Sequence, residues 1–278
     1  MILIVASNRD IASKNIKEEI LKYYRFDDLG EDFQGHPTYT AKVDEKDVRL
    51  VTLKVDCLQA QMITKSFHNL ELIVFISRHS SKSGTPTLSV HTPGNLGKAK
   101  LGGIANKVSI SPANSMRDAL RVMMQLREEM MLNYQVSYEC THHGPSLEVP
   151  TMFTELGSSE EQWKDEKAAE VIAHATMNAV SNFNNFSVDA VIGIGGPHYN
   201  GKFTRIALED GLAFGHMIPK YVIPHVDLEM IKQCIDRTLE EVRLVVLDWK
   251  GIRGKDKQMI TELIKKTDIP FMKAKDLR

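Results

Sequence analysis

The chain has 278 residues, a formal net charge of −1, and 42% hydrophobic and 26% charged residues. These values are ordinary for a globular protein, and the length suits a single α/β domain over residues 1–278. No apolar run approaches the length of a membrane span, and the first ten residues lack the basic region of a signal peptide. The sequence therefore predicts a cytoplasmic protein without a membrane partner, and we expect a monomer.

The cysteines carry information about the redox state of the protein. Cys57, Cys140 and Cys234 are far apart in the sequence, and no Cys-x-x-Cys pair occurs. Scattered cysteines of this kind indicate reduced thiols in a cytosolic protein. The spacing also excludes a zinc finger built from cysteines.

Basic residues are concentrated in two segments of the chain. Residues 72–117 include six lysines or arginines and no acidic residue, and residues 249–278 include nine basic and four acidic residues. A nearly neutral protein with such a separation of charge can present one side to a polyanion. We predict that role for the first segment and a solvated surface for the second.

Strands and helices alternate along the chain. A buried strand at residues 1–7 precedes a helix that Asn8 or Asp10 would cap. Further strands are predicted at residues 48–55, 71–77, 87–92, 134–141, 188–194, 214–223 and 243–248, with a short one at the C-terminus. Further helices are predicted at residues 111–131, 159–183, 227–242 and 255–266, and loops around 35–37, 94–107 and after residue 141. This alternation predicts a three-layer αβα sandwich with a mixed, largely parallel sheet.

Histidines follow several of the predicted strands. They are His79, His91, the adjacent pair His142 and His143, and His198. Because parallel strands of one sheet end at the same edge, we expect these loops to converge there. Neighbouring residues of a strand point to opposite faces, so at most one of His142 and His143 would share a face with Glu139.

Such a gathering of histidines predicts a zinc site. Two or three neutral imidazoles and one carboxylate form a catalytic zinc shell, and Glu139, Glu148 and Glu155 are the carboxylates at hand. Zinc would lower the pKa of a bound water to about 7 and polarise a carbonyl, which suits ester or amide hydrolysis. No His-Glu-x-x-His motif occurs, so the spacing is not diagnostic, and ordinary histidines in a solvated loop remain an alternative.

Residues 78–84 predict a second kind of site. Arg78, Lys82, a glycine and three serines could hold a phosphate with charge, hydroxyls and backbone N–H groups. The two predictions are compatible if the substrate carries both a phosphate and a scissile carbonyl. Residues 193–196 lack a full Gly-x-Gly-x-x-Gly motif, so a tight turn there is at least as well supported as ligand contact.

Four motifs, taken together, resemble the archaeal and plant type of D-aminoacyl-tRNA deacylase. They are SRHSSKSGTPTLSVHTPGN at residues 77–95, THHGP at 141–145, ELGSSEEQW at 155–163 and GIGGPHY at 193–199. Their order and spacing fit, and the likeness extends over essentially the whole chain. The chain departs from the pattern at Cys140 and at Asn200-Gly201, where the family usually continues Ala-Pro. These departures concern the shape of the loops.

The resemblance implies an enzyme that hydrolyses the ester between a D-amino acid and the 3′-terminal adenosine of tRNA. Free tRNA and D-amino acid would be the products, and D-residues would be kept out of translation. The resemblance also implies zinc as the cofactor and a core similar to the phosphorylase and peptidyl-tRNA hydrolase group. The positions that match the motifs are His79, His91, His142, His143, Glu155 and His198.

Residue roles follow as hypotheses from the chemistry of this substrate. The expected zinc ligands are His79, His142 and His198, with Glu139 or Glu155 as the carboxylate ligand or base. His143 or His91 would carry a proton to the leaving ribose hydroxyl. Arg78, Lys82, Lys98 and Lys100 would hold the acceptor end of tRNA, and no DNA partner is expected. The alternatives are another metal-dependent hydrolase, a peptidase or amidase acting on a small substrate, and a non-catalytic RNA-binding module.

Overall fold

The computed structural model describes residues 1–277, and its strands form two main sheets and a small hairpin-like pair. The strands are β1 (Ile2–Ser7), β2 (Asp27–Phe33), β3 (His36–Val43), β4 (Lys46–Leu53), β5 (Leu72–Arg78), β6 (Thr87–His91), β7 (Gly94–Asn95), β8 (Lys107–Val108), β9 (Gln135–Tyr138), β10 (Thr151–Gly157), β11 (Ala190–Ile194), β12 (Ala213–Ile218), β13 (Val242–Leu247) and β14 (Phe271–Lys273). The helices are α1 (Ile11–Tyr23), α2 (Ala113–Glu129), α3 (Glu160–Trp163), α4 (Glu166–Ser181), α5 (Gly201–Glu209), α6 (Leu228–Asp236) and α7 (Lys257–Lys265), with 3₁₀ segments at Cys57–Lys65, Ile223–His225, Trp249–Gly251, Gly254–Asp256 and Ala274–Asp276.

The larger sheet has eight strands in the order β2-β3-β4-β1-β5-β10-β6-β9. Its central strands β4, β1, β5 and β10 are parallel, whereas β6 pairs antiparallel with β10 and parallel with β9. The smaller sheet is parallel throughout, in the order β12-β11-β13-β14. The predicted α/β architecture with a mixed, largely parallel sheet is confirmed, but its strands are divided between two sheets.

Helices α1, α2 and α4 cover one face of the larger sheet. Ile16 and Ile20 of α1 pack against strand residues such as Val74, and all three are fully buried. Burying an aliphatic side chain of this size contributes about 1.5–3 kcal/mol relative to leaving it in water. Of the two predicted caps, Asp10 is the one that acts, because its side chain accepts a hydrogen bond from the Ser13 amide.

The opposite face of the larger sheet changes from apolar to polar along strands β5 and β10. Phe75 and Phe153 lie on it under the 3₁₀ segment Cys57–Lys65, within a separate apolar cluster. One row across β5, β10, β6 and β9 is instead polar throughout, because the register pairs Ser77 with Glu155, Glu155 with Ser89 and Ser89 with Ser137. Since paired residues of neighbouring strands point to the same side, the sheet carries a buried polar row on one face.

Several predicted boundaries differ from the observed ones. The predicted loop at residues 35–37 lies at the turn of the β2–β3 hairpin. Strand β2 was not predicted because it is acidic and largely exposed, so its sequence has no apolar alternation. Strand β10 lies in the predicted loop after residue 141; both of its faces are covered, so its alternation is lost. Helix α5 was not predicted, and Asp165 begins a new helix inside the predicted one at 159–183. The predicted strand 214–223 and helix 227–242 end early, at Ile218 and Asp236.

No helix among residues 1–277 combines the length and hydrophobicity that a membrane span requires. The three cysteines are free and buried, as expected of reduced thiols. Burial raises the pKa of the Cys140 thiol to about 12, which keeps this residue protonated next to the histidine pair.

Candidate active site

The predicted histidines meet at one cavity. His79, His142, His143 and His198 all line a space of about 470 Å³ on the polar side of the larger sheet. Its other walls include Ser77, Arg78, Ser80, Ser81, Lys82, Leu101, Glu155 and Tyr199. The expectation that imidazoles distant in the sequence lie together is confirmed.

The reason that we gave for this convergence is wrong. Strands β6 and β9 run opposite to β5 and β10, and β11 belongs to the other sheet, so these strands do not end at one shared edge. The side chains meet because they share the polar face. The segment after β9 also crosses to the segment after β11, where the Cys140 amide donates to the His198 carbonyl at 2.9 Å and Glu139 bridges to Tyr199.

The carboxylate of Glu139 is at the centre of the cluster and has no exposed surface. Its Oε2 atom lies 2.9 Å from His198 Nε2 and 3.6 Å from His142 Nε2, and its Oε1 atom lies 3.3 Å from His79 Nδ1. The His79 contact lacks the alignment of a hydrogen bond, so Oε1 is buried without a hydrogen-bond partner. Burial alone would raise the pKa of Glu139, but His198 and His79 hold it well below its usual value.

Both members of the histidine pair face the site, contrary to the strand-based expectation. Strand β9 ends at Tyr138, and His143 has a φ of 41°, so the alternation of a strand does not continue through the pair. His142 Nδ1 lies 2.9 Å from the Cys140 carbonyl, and His143 Nδ1 lies 2.7 Å from the Gly144 carbonyl. Because each Nδ1–H donates to a carbonyl, each ring keeps an unprotonated Nε2 for the site.

The environment keeps these two imidazoles neutral. Their ring centres are 4.2 Å apart, and the two rings are surrounded by other imidazoles. Burial, reinforced by the neighbouring rings, holds the pKa of His142 well below its usual value and lowers the pKa of His143 to about 4. Neutral imidazoles are the form that binds a metal ion.

His91 lies behind the pair and contributes no wall to the cavity. Its ring stacks on Phe153 at 5.0 Å between centres and is 4.4 Å from the His142 ring. Neither ring nitrogen has a hydrogen-bond partner in the described part of the chain. Alternation along β6 puts His91 on the same face as Ser89, but that face is covered here and the side chain is fully buried. Burial, with the nearby His143 ring, holds the pKa of His91 well below its usual value.

His79 lies between two carboxylates. Its Nδ1 atom is 3.3 Å from Glu139 and 3.5 Å from Glu155, and its Nε2 atom contacts the Tyr199 hydroxyl. Burial disfavours the charged ring, but the two carboxylates raise the pKa of His79 to about 10. Burial raises the pKa of Glu155 to about 7, although its Oε1 accepts a 2.5 Å hydrogen bond from the Ser77 hydroxyl.

The basic segment 72–117 does not form one continuous surface. Lys82 lines the cavity, and Lys98 and Lys100 are exposed on the loop beside it. Arg78 is partly engaged, because it lies 3.7 Å from Asp56 and stacks 5.3 Å above the Trp163 ring.

Two further members of the segment are unavailable to a polyanion. Lys107 forms an ion pair with Glu148, and Arg117 is buried, with its Nε donating to the Ala207 carbonyl at 2.9 Å. The prediction of a polyanion-facing side is therefore wrong for these two residues. Arg117 lies on the buried face of helix α2, and a count of charges along the sequence does not distinguish buried from exposed residues.

Three overlapping clusters within residues 1–277 have the donor atoms that a metal ion needs. The clusters are Glu139-His142-His198, His91-His142-His143 and His79-Glu139-Glu155, and the ligand atoms of each lie within 4.8 Å of one another. The four predicted ligands are divided between two of them, with Glu139 common to both. Neutral imidazoles, an ionised carboxylate and an orphaned buried oxygen are together the donor set that suits a divalent cation.

Sequence reasoning missed three residues that contact this cluster. Ser77 and Tyr199 lie inside the quoted motifs, but no spacing rule marks a lone hydroxyl as a partner of His79 or Glu155. Tyr221, whose hydroxyl lies 3.3 Å from His198 Nδ1, comes from the segment after β12. The predicted strand 214–223 ran past Tyr221, so its position after the true strand end at Ile218 was hidden.

Comparisons with known proteins agree over nearly the full length. Residues 66–272 match the family model described as D-aminoacyl-tRNA deacylase. The chain is similar to the D-aminoacyl-tRNA deacylase of Pyrococcus furiosus, with 38% identity over 279 residues covering 98% of this chain and 100% of the relative. A D-aminoacyl-tRNA deacylase of Methanococcus maripaludis is 32% identical over 281 residues, covering 98% and 99%.

A solved structure has the same fold. The crystal structure of a conserved protein of unknown function superimposes with a TM-score of 0.88 and 30% identity, covering 100% of this chain and 96% of that one. The family model covers well over half of the chain, and the motifs that carried the resemblance surround the cavity. The chain therefore belongs to the D-aminoacyl-tRNA deacylase family and is an enzyme of that family.

Proposed function

We propose that this protein hydrolyses the ester bond of D-aminoacyl-tRNA, releasing free tRNA and the D-amino acid, with the help of zinc. The observation that carries the proposal is the buried Glu139 carboxylate and the three imidazoles around it, because these imidazoles line a cavity that is partly open to solvent. An aminoacyl ester offers a carbonyl to such a centre. The phosphates of tRNA would face the basic residues at its rim. The activity would remove D-amino acids from tRNA before they reach the ribosome.

Glu139, His142 and His198 are the proposed zinc ligands. His79, the fourth ligand expected from the sequence, faces the other oxygen of Glu139 and belongs to the separate cluster with Glu155, so we leave it out of the set. The arrangement fits a cation because two acceptor atoms face each other with no proton between them. The unprotonated Nε2 atom of His142 lies 3.6 Å from the Oε2 atom of Glu139. The hydrogen bond from His142 to the Cys140 carbonyl would orient the ligand ring. Zinc held there supplies a Lewis acid that polarises the ester carbonyl and makes water nucleophilic near neutral pH.

His143 is the proposed proton carrier. Its Nδ1 donates to the Gly144 carbonyl, and its Nε2 has no hydrogen-bond partner among residues 1–277. This atom can take the proton that the attacking water loses and give it to the departing 3′ oxygen of the ribose, so that no net proton is consumed at the residue. His91 cannot contact substrate because it is buried, and its proposed role is to support the rings of His142 and His143.

Glu155 is the alternative base. It lines the cavity, and its pKa of about 7 matches the working pH of a general base. Both of its oxygens are engaged, however, by the Ser77 hydroxyl and by His79. We therefore assign Glu155 the positioning of His79, whose other nitrogen contacts the Tyr199 hydroxyl at the cavity wall.

The acceptor end of tRNA would lie across the rim that carries Arg78, Lys82, Lys98 and Lys100. Lys98 and Lys100 are exposed and form no ion pair within the described chain, so both can bind phosphate. Arg78 would have to exchange its contact with Asp56 for one with RNA.

A deacylation assay tests the proposal. The purified protein is incubated with D-aminoacyl-tRNA and with the matching L-aminoacyl-tRNA, before and after treatment with a chelator, and its metal content is measured. We expect rapid release of the D-amino acid only, loss of activity on chelation and recovery with added zinc. Equal hydrolysis of both esters would refute the stereochemical assignment, and full activity in metal-free protein would refute the role of zinc.

A further inference from the structure

Three loops meet at one edge of the four-stranded sheet, next to His198. They follow the parallel strands β11, β12 and β13, and backbone hydrogen bonds join them: Lys220 N donates to Gly196 O at 2.9 Å, and Gly196 N donates to Gly251 O at 3.4 Å. The chain places β12 on one side of β11 and β13 on the other, so its order reverses here. In open parallel sheets, ligands bind outside the carboxyl ends of the strands at such a reversal.

These loops expose three lysines that take part in no ion pair within residues 1–277: Lys220, Lys250 and Lys255. Of the acidic residues, Asp248 is buried and paired with Lys202, Asp256 is buried and paired with Arg253, and Asp227 is exposed but caps α6. The free charges lie on two separate loops, a spacing that suits a chain of phosphates better than a single small anion.

An exposed aromatic ring lies between this basic edge and the cavity. Tyr221 is 54% exposed, follows Lys220 directly, and its hydroxyl lies 3.3 Å from His198 Nδ1. Trp249, the other aromatic residue of the edge, is not free, because Lys257 and Lys273 each lie 4.8 Å from its ring centre. A free ring beside free lysines is the combination with which proteins bind single-stranded nucleic acid.

We propose that Lys220, Tyr221 and Lys250 form a binding surface for the single-stranded 3′ end of tRNA. The terminal adenine stacks on the Tyr221 ring, and the phosphates that precede it contact Lys220 and Lys250. The proposal rests on the proposed deacylase function and adds a second contact surface to the rim of residues 78–100. It gives the C-terminal basic segment, for which we predicted only solvation, a part in substrate binding.

Two substrates separate the stacking contact from the phosphate contacts. One is D-aminoacyl-tRNA, and the other is the 3′-D-aminoacyl ester of adenosine, which has the adenine but no phosphate. Tyr221→Ala is expected to raise KM at least about ten-fold on both substrates. Tyr221→Phe, which keeps the ring, is expected to retain the wild-type KM on both. Because the lost hydroxyl contacts His198, its effect should fall on kcat and be equal for the two substrates.

The double variant Lys220→Ala/Lys250→Ala tests the phosphate contacts. It is expected to raise KM for D-aminoacyl-tRNA and leave the adenosine ester unaffected. The slope of log(kcat/KM) against log salt concentration is expected to become shallower by about 0.7 for each lysine removed. The matched control is Lys265→Ala/Lys266→Ala, which removes the same charge from exposed residues at the C-terminal end of α7.

Three results would overturn the inference. Tyr221→Phe could raise KM as much as Tyr221→Ala, which would mean that the hydroxyl binds the substrate and the ring does not. The Lys220/Lys250 variant could behave like its control, or impair both substrates equally. If the wild-type protein leaves D-aminoacyl-tRNA intact, the proposed function fails instead. The surface is then tested by the affinity for uncharged tRNA, which the Tyr221→Ala and Lys220/Lys250 variants should weaken and the control should not.

Discussion

The Nε2 atom of His198 lies 2.9 Å from the Oε2 atom of Glu139, although 59 residues separate them in the chain. Glu139 follows β9 of the larger sheet, and His198 follows β11 of the smaller one. This contact therefore joins the two sheets at the cavity. Glu139 is the one carboxylate of the proposed ligand set, so its charge should matter for both metal binding and catalysis.

Glu139→Gln keeps the shape of the side chain and removes its charge. We expect kcat/KM for D-aminoacyl-tRNA to fall at least about 100-fold, with loss of bound zinc. Loss of a residue that only hydrogen-bonds to a metal ligand already lowers metal affinity or activity by about 10- to 100-fold, and loss of a ligand should cost at least as much. Elemental analysis and the deacylation assay measure both effects. Glu148→Gln is the matched control, since Glu148 is solvent-exposed and pairs with Lys107 and Arg237. A zinc-replete, active Glu139→Gln enzyme would rule out the ligand assignment.

His143→Gln and Glu155→Gln decide which residue moves the proton. We expect His143→Gln to lower kcat by about 100-fold or more while zinc stays bound, because a glutamine amide cannot carry a proton. Glu155→Gln should have the smaller effect on kcat, since its proposed role is to position His79. Single-turnover rates with saturating enzyme isolate the chemical step. The reverse ranking would assign the base to Glu155.

Lys98→Ala/Lys100→Ala tests the other rim of the cavity. Each lost phosphate contact should make the slope of log(kcat/KM) against log salt concentration shallower by about 1. Lys107→Ala removes a lysine from the same basic segment, but one that is already paired with Glu148, and it should leave the slope unchanged. Identical slopes in the wild type and the double variant would remove these lysines from the tRNA-binding surface.

His216 should make the stability of the fold depend on pH. Its Nε2 lies 3.1 Å from the Ser109 carbonyl and 3.2 Å from the Arg237 carbonyl, and Thr141 contacts its Nδ1 at 3.1 Å. Burial lowers the pKa of His216 from 6.5 to about 4. In this range the unfolded chain binds the proton more readily than the folded one, so stability is lost as the pH falls from 6.5 towards 4.

The size of this effect follows from the same pKa shift. Between pH 7.5 and pH 5, His216 should cost about 2 kcal/mol of unfolding free energy. Urea unfolding of the wild type and of His216→Gln at both pH values measures it, because glutamine can donate to the same carbonyls without titrating. The wild type should lose about 2 kcal/mol more than the variant on acidification. Parallel losses in the two proteins would contradict the prediction.

Local pattern was enough to identify the family. Apolar runs marked β1, β5 and β11, and the alternation of β6 put His91 on the same side as Ser89, as observed. The motifs around His79, His142 and His198 pointed to the family that the comparisons then confirmed. These features depend on residues close together in the sequence, so the sequence by itself determines them.

Only the tertiary structure decided how the site is built. Because β6 and β9 run opposite to β5 and β10, and because the strands form two sheets, the site lies on a face of the larger sheet and not at its edge. The same arrangement places Glu139 at the centre of the site and leaves Glu148 exposed. Contacts between distant segments likewise buried His91 and Arg117, which local pattern had placed within reach of substrate. Packing between residues far apart in the chain decides the direction of a strand, the sheet to which it belongs and whether its face is covered. The alternation of residues within one strand is the same in every such packing, so it cannot reveal these features.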